Sequence, residues 1–429
     1  MQHEFLSWDE QQRFQVQQLN KVKSYLIQHN AYYRDVWTKC GVLQKEIKDL
    51  KDLSRYPTCS KEVVQQHYEN FVCAPHHQIR EFCATSGTLG QPLSVPLTGA
   101  DLERLAYNEY LSFQKLELTE DDTVLLMLTL DRMFMAGMAY YLGLQKIGSK
   151  VIRSGAGMPQ MQWDAIFRYQ PSTLVGVPSF ILKMIQYAQE HNIPYRESSV
   201  KKILCIGESL KDEALNLNQL AIQISSQWNV SLFNTYASTE MQTGFTECRV
   251  QSGGHLHSDL IAVEILDDND NIVPSGMAGE VCITTLGIEG MPLWRYKTGD
   301  IAKLYYDPCP CGRNTPRMSG IVGRKNHMIK LNGTTLFPNT IFEALHQCVN
   351  ANDYFVELNW NNYHQDTITI YLDSKYEGTL ENKSKIIEFL RAKLRIVPHI
   401  VFITTHELKK IQFPEISRKQ IKFADKRKQ

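Results

Sequence analysis

The chain has 429 residues and a mass of 49.4 kDa, more than one hydrophobic core usually organises, so two or more domains are expected. Hydrophobic residues make up 43% and charged residues 21%, a balance that excludes long disordered stretches. Lysine plus arginine equals aspartate plus glutamate at 46 each, so no global field points to nucleic acid or to an anionic membrane as a partner.

The first residues, MQHEFLSWDEQQRF, carry early charge and no apolar run before a small-residue cleavage site, so a secretory signal is not expected and a cytoplasmic location is the expectation. Ten cysteines in such a chain are expected to be thiols or metal ligands rather than a disulfide frame. From about Glu10 to Asn70, Phe14, Val16, Leu19, Val22, Tyr25 and Leu26 recur at roughly helical spacing, and residues 1–80 read as a helical lead-in.

Residues 84–92, ATSGTLGQP, form a hydroxyl- and glycine-rich turn between two expected strands. Gly87 and Gly90 let the backbone bend so that N–H groups point inward, and the hydroxyls of Thr85, Ser86 and Thr88 add donors, which makes a nest for phosphate oxygens. A Ser/Thr/Gly hairpin without any ligand has the same composition. The fingerprints G-x-x-x-x-G-K-[ST] and G-x-G-x-x-G are both absent, which disfavours an ordinary P-loop or Rossmann assignment.

The longest apolar stretch, 123–143, has roughly the length of a membrane span, but Asp131 and Arg132 sit near its centre, so a buried core segment is expected. Apolar bursts at 124–130, 150–152, 172–178, 201–207 and 230–236 alternate with helical patterns, the signature of an α/β domain with a largely parallel sheet. From 256 to 304 the texture turns strand-rich, with IAVEIL at 261–266 and EVCITTL at 280–286 joined by a turn-forming segment, so a β-rich subdomain is expected. Beyond Gly323, strands near 354–360, 366–372 and 399–404 and a helix at 384–394 suggest a small α+β domain of about 100 residues. No internal repeat or low-complexity segment is present.

Three later segments follow the 84–92 turn in fixed order: Tyr236-Ala237-Ser238-Thr239-Glu240, Tyr296-Lys297-Thr298-Gly299-Asp300 and Gly323-Arg324-Lys325-Asn326-His327-Met328. With that turn they resemble the adenylate-forming superfamily of acyl-CoA synthetases, luciferases and peptide-synthetase adenylation domains. Cys309-Pro310-Cys311-Gly312-Arg313, the GRKNHMIKLNGTTLFPNTI that follows and the terminal SRKQIKFADKR are most similar to phenylacetate-coenzyme A ligases, over about residue 80 to the end.

The resemblance implies a large domain at 1–323 with mixed and parallel sheets and a β-rich subdomain, a hinge at 324–327 and a small mobile α+β domain at 328–429. It implies ATP, Mg²⁺ and coenzyme A as cofactors. Thr85, Ser86, Gly87, Thr88 and Gly90 would hold the phosphates, while Tyr236 with Ala237 and Ser238 would form the adenine wall. Thr239 would touch the α-phosphate, and Glu240 would help hold Mg²⁺, which favours one or two carboxylates with phosphate oxygens. Asp300, whose carboxylate offers two acceptor oxygens, would take both ribose hydroxyls, and Arg324 would contact ribose or phosphate at the domain junction. Glu208 resembles the acidic position of the adenine-side loop and reads equally well as a solvated loop glutamate.

The family pattern places the activation lysine near the C-terminus, where Lys419 matches best and Lys422 is a neighbouring rival. An ammonium between a carboxylate and an α-phosphate offsets the repulsion of the two anions as charge shifts in the transition state. Asn326 falls at the pivot position, which needs only a residue that absorbs a backbone change.

Cys248, His255, Cys309 and Cys311 make a three-sulfur, one-nitrogen set suited to a structural, tetrahedral Zn²⁺, with His257 as a competing ligand. Some phenylacetate ligase relatives carry zinc at the matching places. Cys83, Cys205 and Cys282 lie in apolar runs and read as core thiols.

Two departures stand out. Gln91 takes the place of the lysine that ends the family's phosphate loop, and the segment 129–137, TLDRMFMAG, replaces a Gly- and Tyr-rich stretch. Phe134, Met135, Ala136 and Ala237 could line an apolar acid slot, and Asp131 could pair with Arg132 or meet a polar substituent on the acid. The expected reaction is activation of a small aromatic or hydrophobic carboxylic acid to its acyl-adenylate and transfer to coenzyme A. Delivery to an amine or a carrier-protein thiol is the alternative, and a non-catalytic nucleotide-binding relative is the reading from a different class. The oligomeric state is not written in the motifs, a homodimer being one option.

Overall fold

The computed structural model describes residues 3–85, 92–212, 214–325, 329–331, 334–349, 353–360, 366–376, 380–394, 397–413 and 421–428. The chain divides into two compact units, Met1–Ile321 and Val322–Gln429. The division falls two residues before the expected end of the large domain at 323, and positions 326–328, including Asn326, lie outside the described residues.

In the first unit the lead-in is helical. Helix α1, Trp8–His29, starts at Ser7, whose hydroxyl accepts from the Glu10 backbone N–H while the Glu10 side chain returns to the Ser7 N–H. That reciprocal pair satisfies two N–H groups that the first turn would otherwise leave orphaned. Leu19, Val22 and Leu26 share its buried face. Helix α2, Ala31–Lys39, adds Tyr33 and Trp37, and Trp37 meets Trp294 and Tyr56 edge-on with centroids about 5.2 Å apart. Aromatic edge contacts of this kind add to what area burial alone contributes. Two short helices follow, α3 at Lys61–Gln66 and α4 at Tyr68–Phe71.

Strands β1, Ile79–Ala84, and β2, Ser94–Thr98, form an antiparallel pair with Cys83 opposite Val95, and they flank the hydroxyl-rich turn. Residues 86–91, which hold Ser86, Gly87, Thr88, Gly90 and Gln91, lie outside the described residues.

After helix α5, Gly99–Lys115, the chain alternates strand and helix: β3 Thr123–Leu126, α6 Met135–Ile147, β4 Lys150–Arg153, α7 Pro159–Tyr169, β5 Thr173–Gly176, α8 Pro178–Glu190, β6 Lys202–Cys205, α9 Gln219–Gln227 and β7 Ser231–Ser238. These strands lie parallel in the order β4-β3-β5-β6-β7. The connection leaving β3 runs outward to β4, while those leaving β5 and β6 run toward β7, so the change of direction lies between β3 and β5. In open α/β sheets ligands sit outside the carboxyl ends of the strands at such a place.

The sheet continues antiparallel through β8 Thr243–Glu247, β9 Gly254–His255, β13 Arg317–Met318, β12 Tyr296–Tyr305, β11 Ala278–Thr285 and β10 Ile261–Leu266. The expected hairpin pairs Ile261 with Thr285 through Leu266 with Glu280.

The apolar run 124–130 is strand only as far as Leu126. Met127 and Leu128 stay buried, Leu130 emerges, and Arg132 and Met133 take left-handed φ of 60° and 57° before α6 begins. Two successive non-glycine residues in that region carry backbone strain. Gly137 permits the close return, because a Cβ there would stand 1.9 Å from the Thr129 carbonyl oxygen. The expected buried segment is thus a buried strand, an exposed strained bend and a helix, the bend turning at the charged pair Asp131 and Arg132.

The second unit has a sheet in which Tyr354–Trp360 pairs antiparallel with Asp366–Asp373, which in turn runs parallel to His399–Ile403, while Phe423–Asp425 lies parallel to the first strand. Helices Pro338–Val349 and Leu380–Leu394 pack with it around Ile341, Leu345, Val356, Ile370, Ile386 and Leu390. The expected helix at 384–394 starts four residues earlier, and the helices Pro338–Val349 and Thr405–Gln412 were not anticipated. Among the described residues no helix is long and apolar enough to cross a membrane.

Candidate functional site

The carboxyl ends of the parallel strands gather several of the expected site residues of the first unit. β3 leads into Asp131, β6 into Gly207 and Glu208, and β7 into Tyr236, Ala237 and Ser238, with Thr239 and Glu240 following. Asp131 pairs with Arg132 at 3.6 Å, both side chains two-thirds exposed, which is the first of the two options open for it. The Glu208 carboxylate caps the start of α8, accepting from the Ser179 backbone N–H at 2.8 Å and from its hydroxyl at 2.9 Å. Glu208 is thus a partly exposed loop glutamate that anchors the start of α8.

Tyr236 has two engagements. Its hydroxyl donates to Asp300 Oδ2 at 2.8 Å, and its ring stacks on Phe245 at 5.7 Å between centroids. The pairing of β7 with β8 sets Tyr236 opposite Phe245. Asp300, on β12, is buried, and its backbone N–H donates to the Thr298 hydroxyl at 3.1 Å. The adenine-side tyrosine and the ribose-side aspartate of the resemblance are thereby joined by a charge-assisted hydrogen bond.

Lys61, which motif reasoning missed, begins α3 and extends Nζ to within 3.0 Å of Thr85 Oγ1 and 3.5 Å of Glu240 Oε1. Thr85 Oγ1 also accepts from the Leu93 N–H at 2.9 Å, across the mouth of the hydroxyl-rich turn. One ammonium thus links the start of the expected phosphate turn to the expected Mg²⁺ carboxylate. A lone lysine after Ser60 at a helix start carries no motif; the missing positive charge at Gln91 was the signal that a replacement should be sought.

The expected acid-slot residues divide. Met135 is buried in the main core and Ala136 packs beside a second cluster, whereas Phe134 and Ala237 are open to solvent. Phe134 stands beside the exposed Met133, whose carbonyl accepts from the Ala84 N–H at 2.9 Å and so holds the strained bend against β1.

Cys248, His255, Cys309 and Cys311 present ligand atoms that all lie within 4.8 Å of one another. Cys248 and Cys309 sulfurs are 3.7 Å apart, and Cys311 Sγ is 3.5 Å from His255 Nε2. His255 Nδ1 is engaged by Thr315 Oγ1 at 2.8 Å, so Nε2 is the nitrogen that faces the sulfurs. Such a partner on the far nitrogen is how ligating histidines are oriented. Burial, with the charge of Lys115, pushes the His255 imidazole down to about 3, which keeps it in the neutral form a metal needs. Burial pushes the Cys248 thiol up to about 12. For Cys311 burial also acts upward, but the backbone N–H and guanidinium of Arg313 outweigh it and lower the thiol. The donor set, its closeness and its oriented histidine fit a four-coordinate divalent metal.

His257, the competing ligand, does not join this group. Its Nδ1 lies 3.1 Å from Glu4 Oε1, in a buried set with Lys115 and Arg313. Burial alone would raise the Glu4 carboxyl, yet Lys115, His257 and Arg313 hold it well below the ordinary carboxylate range. Cys83, Cys205 and Cys282 are fully buried, as core thiols should be.

In the second unit Arg324 is exposed at its start. Lys419 and the residues flanking it lie outside the described residues. Lys422 places Nζ 4.9 Å from the centre of the Tyr354 ring, and its carbonyl accepts from the Val356 N–H at 2.9 Å, a structural engagement.

A family profile described as AMP-binding enzyme matches residues 12–289. The chain is 27% identical over 337 residues to the phenylacetate-coenzyme A ligase of Thermus thermophilus, covering 77% of this chain and 74% of that protein. With the phenylacetate-coenzyme A ligase of Aromatoleum evansii it shares 25% over 397 residues, 91% of this chain and 87% of that one. Its fold is similar to that of a crystal structure of 2-hydroxyisobutyryl-CoA ligase, with a TM-score of 0.84 over 99% of this chain and 92% of that chain at 20% identity.

Proposed function

Because the chain belongs to the AMP-binding enzyme family, we propose that it is an AMP-forming acid–thiol ligase. It joins a small carboxylic acid to the α-phosphate of ATP, releasing pyrophosphate, and the coenzyme A thiol then attacks the acyl-adenylate carbonyl and expels AMP. The observation that carries this reading is the linked set at the carboxyl ends of the strands: Tyr236 bonded to Asp300, and Lys61 spanning Thr85 and Glu240.

In this reading adenine stacks on the face of Tyr236 away from Phe245, and the ribose hydroxyls donate to Asp300, whose carboxylate the tyrosine hydroxyl holds in place. Glu240 takes Mg²⁺ with the phosphates, and Thr239 donates to the α-phosphate. Lys61 stands in for the absent loop lysine, adding positive charge where phosphate oxygens collect. The turn residues Ser86, Gly87, Thr88 and Gly90, together with Arg324 and Lys419, keep the roles that the family pattern gives them. The Cys248–His255–Cys309–Cys311 set holds a structural Zn²⁺, which when bound staples β8, β9 and the 309–315 loop.

The exposed, strained bend carrying Met133 and Phe134, with the exposed Ala237 near the end of β7, favours a hydrophobic or aromatic acid over a highly charged one. A screen of aryl and short hydrophobic acids, with coenzyme A and simple amines supplied separately, tests the proposal by product mass. Acyl-CoA products support it, amides shift the acceptor to an amine, and absence of any acyl product with every acid refutes the ligase reading.

A further inference from the structure

The start of the chain reaches the cysteine cluster through one carboxylate. Glu4 is 1% exposed and accepts from Lys115 Nζ at 2.6 Å and from Arg313 Nε at 2.7 Å. Arg313 turns its other edge to the cluster, with Nη1 3.7 Å from Cys311 Sγ, and its guanidinium lies 5.0 Å from the centre of the Phe5 ring. The main chain is tied at the same place. Asn314 N–H donates to the Glu4 carbonyl at 2.9 Å, and its side-chain amide donates to the Leu6 carbonyl at 3.1 Å. The loop 309–314 therefore stands between the cluster on one side and residues 3–6 on the other.

We propose that Glu4 and Arg313 form a clamp through which metal occupancy of the Cys248–His255–Cys309–Cys311 cluster and docking of residues 3–6 become a single event. The inference rests on the reading of the cluster as a metal site and goes beyond it in assigning Glu4 as a positioning residue. A planar guanidinium can serve two acceptors only while its orientation is fixed, and Glu4 fixes it by occupying Nε. With Glu4 undocked, Arg313 loses the anchor that aims Nη1 at Cys311. With the metal lost, the loop keeps its own turn, the Gly312 N–H on the Cys309 carbonyl at 2.9 Å, and the Asn314 bonds to residues 4–6, but Cys309 and Cys311 are no longer held to Cys248 and His255, so Arg313 balances Glu4 from a loosened loop. A buried carboxylate deprived of one of its two cations is costly, so the N-terminal segment loosens as well. The rival explanation is that Glu4 serves only to neutralise Lys115, in which case metal binding is indifferent to it.

The test uses the full chain purified without added metal, zinc content by elemental analysis, zinc release to a chromogenic chelator, and hydrogen exchange by mass spectrometry. Wild-type protein should hold about one zinc per chain. Stripping the zinc should raise exchange in residues 3–12 and 309–315 together, leave 278–285 unchanged, and be reversed by adding zinc back. Glu4→Gln and Arg313→Lys should each speed zinc release by about 10- to 100-fold, the usual effect of removing an outer partner of a ligand, with Glu4→Asp in between. Release at the wild-type rate from both Glu4→Gln and Arg313→Lys overturns the clamp while leaving the metal reading intact. If those variants fail to fold, the wild-type exchange decides alone: loosening of 309–315 without loosening of 3–12 overturns the clamp. Wild-type protein that takes up no zinc even when offered it overturns the metal reading itself, and the clamp with it.

Discussion

Replacing Lys61 by alanine isolates the proposed substitute for the missing phosphate-loop lysine. Its ammonium is 3.0 Å from Thr85 Oγ1 and 3.5 Å from Glu240, and its side chain is about one-third exposed. A unit charge about 4 Å from a phosphate oxygen contributes about 4 kcal/mol at an effective dielectric constant near 20. Solvent screening at that exposure reduces this to about 2 kcal/mol. The corresponding loss is roughly 30-fold in kcat/KM for ATP in acid-dependent pyrophosphate exchange. Lys61→Arg, which keeps the charge, should stay within about fivefold of wild type. The reasoning fails if Lys61→Ala retains wild-type exchange. It also fails if the only change is a lower half-saturating Mg²⁺ concentration, since that would mean Lys61 merely competes with the cation for Glu240.

Tyr236→Phe keeps the ring on Phe245 but removes the bond to Asp300; a hydrogen bond to an ionised group contributes about 1.5–3 kcal/mol, so KM for ATP should rise at least tenfold with kcat less affected. Gly137→Ala drives a Cβ into the Thr129 carbonyl and should lower unfolding free energy by about 1–3 kcal/mol, read as a reduced urea midpoint. Glu109, buried in α5, has its carboxyl pushed up to about 7 by burial, against hydrogen bonds from Ser112 and Asn108 and the charge of Lys115. The unfolded state therefore gives up this proton first, and stability falls as pH rises from about 4.5 to about 7, then levels off. Glu109→Gln should gain on wild type by about 2–3 kcal/mol between pH 5 and pH 8 in paired urea titrations; a constant difference across that range contradicts the assignment.

The architecture was legible where a pattern is local. Apolar bursts separated by helical spacing gave the parallel strands, and IAVEIL and EVCITTL gave the hairpin, because each strand satisfies its own burial on both faces or in alternation. The run 124–130 misled because hydropathy does not register a bend: Leu128 and Leu130 read alike, yet one is buried and the other turns out with Arg132 and Met133. In the small unit, helix Thr405–Gln412 was hidden because its lysines mask a short apolar face. The cysteine cluster could be read from residue type, since sulfur and imidazole are scarce and their grouping carries meaning; the spacing names His255 but leaves His257 as a competitor, and the geometry separates the two. Lys61 and Glu4 were invisible for a different reason. Each acts on residues distant in sequence, Glu240 and Arg313, and a single lysine or glutamate near a helix start has many ordinary explanations.

Acid-dependent exchange of labelled pyrophosphate into ATP tests the central reading most directly, because it reports adenylate formation whatever the final acceptor. At least one hydrophobic or aromatic acid should drive exchange in the wild-type enzyme, and Lys419→Ala should nearly abolish it. Exchange that never exceeds the acid-free background with any acid, in protein that binds ATP, would contradict the assignment of this chain as an acid-activating enzyme.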